Sequence, residues 1–143
     1  MSTTSRAPHL SWGPIALVAV GGAFGAAGRE GVSLAIPNLG DVPIAIPVVN
    51  IIGAFLLGYL YEAVTRLEAT PAKNLKLLLG TGFCGGFTTY SSLATDTAVL
   101  FRDDHAWSAI GYALGTVIIG AIATWLGILI ASAINNSRSK ATS

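Results

Sequence analysis

The sequence predicts an all-α integral membrane protein of four transmembrane helices, the third broken at its centre. Three observations predict it. The 143 residues are 52% hydrophobic and 10% charged, with mean hydropathy +0.66, which is too apolar for a soluble domain of this size. Four apolar stretches each supply the ~20 residues that cross a hydrocarbon layer. Inside the third stretch, Thr81–Ser92 reads TGFCGGFTTYSS, a run of glycines and hydroxyls that makes a poor continuous helix.

The spans are expected over about 12–36, 44–64, 75–101 and 107–134, as one domain. Short connections join them at Pro37–Pro43, Thr65–Asn74 and Arg102–Ala106. The tails 1–11 and 135–143 are polar and expected to be mobile. The first apolar run follows a single arginine, Arg6, but leads into more apolar chain without a cleavage site. It therefore reads as a span and not as a signal peptide.

Span 1 carries GGAFGAAGRE. Gly21 and Gly25 form a GxxxG pair, which lets another helix backbone come close. Arg29 and Glu30 stand near its end. Arg29 either snorkels at the interface or faces a water-filled vestibule, since charges in a span are costly enough to be retained for function.

Span 2 has one strongly polar side chain in its first half, Asn50. Left unpaired in hydrocarbon, its amide would cost several kcal/mol. Two readings stand: a structural hydrogen bond to a neighbouring helix, or a donor to a passing anion. Tyr59 and Tyr61 suit an interfacial belt.

Span 3 holds the interruption. Each helix-interior glycine costs up to ~1 kcal/mol relative to alanine. Backbone freed at membrane depth survives only where protein covers it or where it lines a wet or ion-filled cavity. Broken helices of this kind present carbonyls to cations and amide ends to anions. The competing reading is a packing face of small residues. Asp96 lies toward the end of the span; apart from Glu30 and Glu62 it is the only carboxylate on the membrane side.

Span 4 places Tyr112 and Thr116 one turn apart on one face. The Thr116 hydroxyl either bonds a carbonyl of its own helix or lines a pore.

Several classes are excluded. His9 and His105 have no carboxylate partner within a span, Cys84 is the sole cysteine, and no Gly-Lys-Ser/Thr follows the glycines of span 3. Catalysis, a multi-cysteine metal site and a phosphate loop all fall away. A net charge of +1 suggests no nucleic-acid partner.

GGAFGAAGR in span 1, VNIIGAFLLG in span 2 and GFCGGFTTYSS in span 3 together resemble the CrcB/Fluc fluoride-channel family over nearly the whole chain. The resemblance implies a passive, fluoride-selective channel in the cell membrane, built as an antiparallel dimer of two subunits. Fluoride enters acidified cells as the neutral acid, is trapped as the anion, and leaks out through such a channel. It also implies a structural Na+ that is not transported, held at the dimer centre by the carbonyls of Gly85 and Thr88 from both subunits. Asn50 matches the family's pore asparagine and Arg29 the arginine that closes the first motif. Tyr90, Ser91, Ser92, Asn50 and Thr116 would supply a track of donors, and several moderate sites favour conduction over trapping. Three positions depart from the pattern. The usual pair of phenylalanines is here Tyr90 and Leu93, and Glu30 replaces a usually aromatic residue.

Charge adds a further expectation. Arg6, Arg66, Lys73, Lys76, Arg138 and Lys140 fall on the side of the termini, against Arg29 and Arg102 on the other. Six against two favours one fixed orientation with the termini inside. A homodimer of opposed subunits does best with little bias, so a heterodimer with an oppositely inserted sibling is the expectation it raises. Two rivals remain. One is a small proton-coupled multidrug exporter, which needs an embedded carboxylate and has only Glu30, beside Arg29. The other is a non-conducting partner subunit.

Overall fold

A computed structural model describes residues 12–141. Helix α1 spans Trp12–Ala35 and α2 spans Ala45–Ala63, which a 3-10 turn extends through Arg66. The next helical stretch is assembled from pieces: α3 (Ala69–Leu75), a run of wide π-turns (Lys76–Cys84), the single turn α4 (Gly85–Phe87), then α5 (Tyr90–Arg102). Helix α6 runs for 36 residues, Ala106–Ala141. Among the described residues, three helices are long and apolar enough to cross a membrane: Trp12–Ala35, Ala45–Arg66 and Ala106–Lys140. Their large apolar side chains face outward. Phe24, Leu114, Val117 and Trp125 are all exposed, as expected where lipid replaces water.

The chain opens where Thr88 (φ −83°, ψ 157°) and Thr89 (φ −150°, ψ 119°) turn extended. This lies within Thr81–Ser92 but after the glycines and not among them. The glycines keep helical bonding, and the Gly85 N–H still reaches the Gly80 carbonyl. Their role is contact. A methyl group on Gly86 would overlap the Gly22 carbonyl, and one on Gly21 or Gly25 would overlap the Leu78 or Phe83 carbonyl. Helix α1 thus packs directly on the π-turns and α4, and the GxxxG pair acts as a close-approach surface.

Helix α2 packs along α6, and α5 packs back on α6. Gly58 abuts the Thr124 carbonyl and Gly127 abuts that of Phe55. Thr124 Oγ1 donates both to Ala54 O (3.2 Å) and to Gly120 O in its own helix (3.0 Å).

Helix α5 ends in a Schellman arrangement. Asp104 takes φ 62°, His105 N–H reaches Leu100 O at 2.9 Å and Asp104 N–H reaches Phe101 O at 3.3 Å. At this end His105 Nε2 lies 3.6 Å from Asp41 Oδ2, joining the two loops.

At the opposite end the helix passes the expected limit at 134. Asn135 Nδ2 donates to Glu62 O (3.1 Å) and Arg66 donates to Asn136 Oδ1 (3.0 Å). These bonds moor residues 135 and 136, the start of the expected polar tail, to the end of α2. Residue Ala69 also begins a helix inside the expected connection Thr65–Asn74. The expected tail 1–11 and residues 142–143 lie outside the described residues.

Candidate ion pathway at the helix break

The break is held by one side chain. Thr89 N–H donates to Asn50 Oδ1 at 2.8 Å, and Asn50 Nδ2 donates back to Thr89 O at 3.0 Å. The structural reading of Asn50 is therefore met, and its target is the break itself. One Nδ2 hydrogen is left for another partner, since a primary amide carries two. Gly53, one turn along α2, leaves the space in which the Thr88 methyl sits.

The carbonyls of Gly85 and Thr88 are among those that lose their usual helical donors here. The N–H that would close a helical ring on Gly85 O belongs to Thr89 and goes to Asn50. The N–H that would close on Thr88 O belongs to Ser92 and goes to Thr89 Oγ1 at 3.2 Å. The latter bond makes Thr89 the N-cap of α5, an extended residue whose side-chain oxygen takes the N3 amide. Thr89 Oγ1 also lies 3.1 Å from Ser91 Oγ and donates to Ser92 Oγ at 3.1 Å. Thr88 Oγ1 turns back to Cys84 O at 2.9 Å. Gly85 is exposed, with nothing within 4 Å of where a Cβ would stand.

Asn50, Thr88, Thr89, Tyr90, Leu93 and Thr116 border one cavity of about 310 Å³. Four of the residues expected from sequence, Asn50, Thr88, Tyr90 and Thr116, meet there. Ser91 and Ser92 join through Thr89 and do not line it. Gly85 also lies off the cavity. Arg29 stands apart at the end of α1, partly buried, with no hydrogen bond or ion pair among the described residues. Thr116 is buried and donates to Tyr112 O at 2.6 Å, so its proton is held by its own helix and only its lone pairs face outward. Tyr90 is 83% exposed while Leu93 is 7% exposed. The retained aromatic ring points out of the protomer, and the leucine sits in a cluster with Leu100, Ala109 and Tyr112.

Sequence reasoning missed two features. Tyr112 OH donates to Asp96 Oδ2 at 2.7 Å, which ties α5 to α6 through the one carboxylate of that stretch. The signal was present: residues 96 and 112 are equidistant from the middle of the 103–105 turn, and an antiparallel hairpin brings such positions together. Thr89 stands in the sequence as one hydroxyl among several. Its place three residues before Ser92 is the spacing of a capping side chain.

Among the described residues, three long apolar helices accompany a segment whose backbone opens beside a cavity lined by both polar and apolar groups, and together they define a multi-pass membrane protein. Residues 16–128 match the family described as CrcB-like protein, Camphor Resistance (CrcB). The chain is 40% identical over 141 residues to the fluoride-specific ion channel FluC 2 of Leifsonia xyli subsp. xyli, covering 96% of this chain and 97% of the relative. It is 42% identical over 121 residues to FluC of Gloeobacter violaceus (82% and 95% covered) and 34% identical over 118 residues to FluC of Pyrococcus horikoshii (82% and 94% covered). The chain belongs to the CrcB family.

Proposed function

We propose that the chain forms a passive fluoride-selective channel that relieves the toxicity of cytoplasmic fluoride. It does so from the cell membrane as one half of a dimer of inverted protomers, each crossing four times. The observation that carries this reading is the opened backbone at Thr88–Thr89 beside a cavity bordered by amide and hydroxyl groups. A small, strongly hydrated anion needs replacement donors at each step, and the spare Asn50 hydrogen with the Tyr90 hydroxyl supplies them, whereas the Thr116 proton stays on Tyr112 O. The family membership and the names of the relatives support fluoride as the anion.

The chemistry of the break also suits a structural Na+. Carbonyl oxygens are the ligands a hard cation prefers, and Gly85 and Thr88 have lost their helical donors. Two inverted protomers would bring four such oxygens to one ion. Bound there, the ion adds positive charge near the path without moving along it.

The test is fluoride efflux from liposomes holding the purified protein. Channel-speed leak with chloride excluded is expected. Proton-coupled export of a cationic drug would instead support the exporter, and silence without a second subunit would support the partner-subunit reading. The buried Leu93 and the six-against-two charge bias favour, as a second reading, a heterodimer whose sibling keeps the aromatic pair. Reporter fusions at both termini test it. Equal insertion in both directions by the chain expressed alone counts against the sibling.

A further inference from the structure

We infer that Asn50 is a positioning residue for the cation site, diverting the Thr89 N–H and so leaving the Gly85 carbonyl free to face an ion. The inference rests on the Na+ reading above and adds the side chain that makes such a site. In an uninterrupted helix each N–H closes on the carbonyl four residues back. The rule still holds at Thr88, whose N–H donates to Cys84 O at 2.9 Å. It stops at Thr89, where the amide of Asn50 takes both backbone groups, N–H at 2.8 Å and carbonyl at 3.0 Å.

This two-bond exchange copies one hydrogen-bonded pair of an antiparallel ladder, and it matches an extended residue, which Thr89 is. An extended residue cannot continue the helix before it. In hydrocarbon an opened peptide group is costly unless something else bonds it. Asn50 removes that cost at Thr89 and leaves it standing at Gly85, whose carbonyl keeps both lone pairs for a cation. Asn50 thus acts on the ion through the backbone of another helix, whatever its spare hydrogen does for an anion. A residue of similar shape that cannot bond, such as leucine, removes the diversion. Thr89 N–H then returns to Gly85 O, and the same oxygen is taken from the ion.

The experiment is the thermal unfolding midpoint of the full chain in detergent, titrated with NaCl against N-methylglucamine chloride at constant ionic strength. The wild type is expected to rise with Na+. Asn50→Leu is expected to need about tenfold more Na+ for the same rise. Asn50→Asp keeps an acceptor for the Thr89 N–H and is expected to respond to Na+ at least as well as the wild type. If Asn50→Leu cannot be purified, Asn50→Ser, with a side chain one atom too short to span both Thr89 groups, takes its place with the same expectation. Unchanged Na+ dependence in the leucine or serine variant overturns the inference while leaving the Na+ reading intact. A wild type indifferent to Na+ overturns both.

Discussion

Before the break the interrupted segment meets α1 through glycines; after it, the same chain meets α6 through the Asp96–Tyr112 bond and an apolar cluster of Leu93, Leu100 and Ala109. In the first region backbone lies on backbone, Gly86 against Gly22 and Gly25 against Phe83, and at those contacts there is no room for a side chain or an ion. In the second, Thr89, Ser91, Ser92 and the Asp96–Tyr112 bond hold polar groups at defined places, next to the cavity that Thr89 borders. Small residues at membrane depth therefore serve two ends within about ten positions. Which end they serve is decided by whether another helix covers them.

The largest effect should come from filling the covered region. Gly86→Leu drives a side chain into the α1 backbone, beyond the ~1–3 kcal/mol of ordinary overpacking, and is expected to leave no monodisperse protein on gel filtration. Gly85→Ala, at an open position in the same turn, is expected to yield normally folded protein. Equal yields from the two would erase the contrast.

Next is the polar tie across the second region. Tyr112→Phe deletes only the hydroxyl bonded to Asp96 and is expected to lower stability by roughly 1–3 kcal/mol, the range for leaving a buried hydrogen-bonding partner unsatisfied, read from the thermal midpoint. Thr89→Val keeps the shape and the Asn50 clamp but removes the cap of α5. A loss of about 1 kcal/mol is expected, with slower fluoride efflux because Ser91 and Ser92 lose their common partner. A value near zero would mean that the hydroxyl cluster is not organised by Thr89. The smallest effect lies away from both regions. Arg66→Ala removes an exposed bond to Asn136 and is expected to change stability by less than ~0.5 kcal/mol.

The helices were legible in the sequence because hydropathy alone marks them, and the first two ends fall within a few residues of where the apolar runs stop. The broken stretch was legible in its composition but not in its position. Glycines suggest weak helix, yet here they pack against α1 and stay helical, and the opening follows from Asn50 reaching Thr89 from 39 residues away. No local propensity encodes that distance. Asn50 itself stood out because a lone amide in an apolar span must find a partner; which partner required the packing of α2 against the break. The π-turns at Lys76–Cys84 left no recognisable mark, since they differ from α-turns only in which carbonyl each amide reaches. The Arg66–Asn136 and Asn135–Glu62 bonds, which hold the end of α6 beyond residue 134, join polar residues that sequence alone assigns to water.

The length of α6 has a consequence of its own. Thirty-six residues at ~1.5 Å each make a rod of about 54 Å, longer than the ~40–45 Å of a bilayer with its headgroups. Standing upright, it would carry its last turns clear of the lipid as a basic stalk with Arg138 and Lys140. Two identical inverted chains would raise one stalk on each face of the membrane, so a pair of spin labels at residue 138 would sit a full membrane apart.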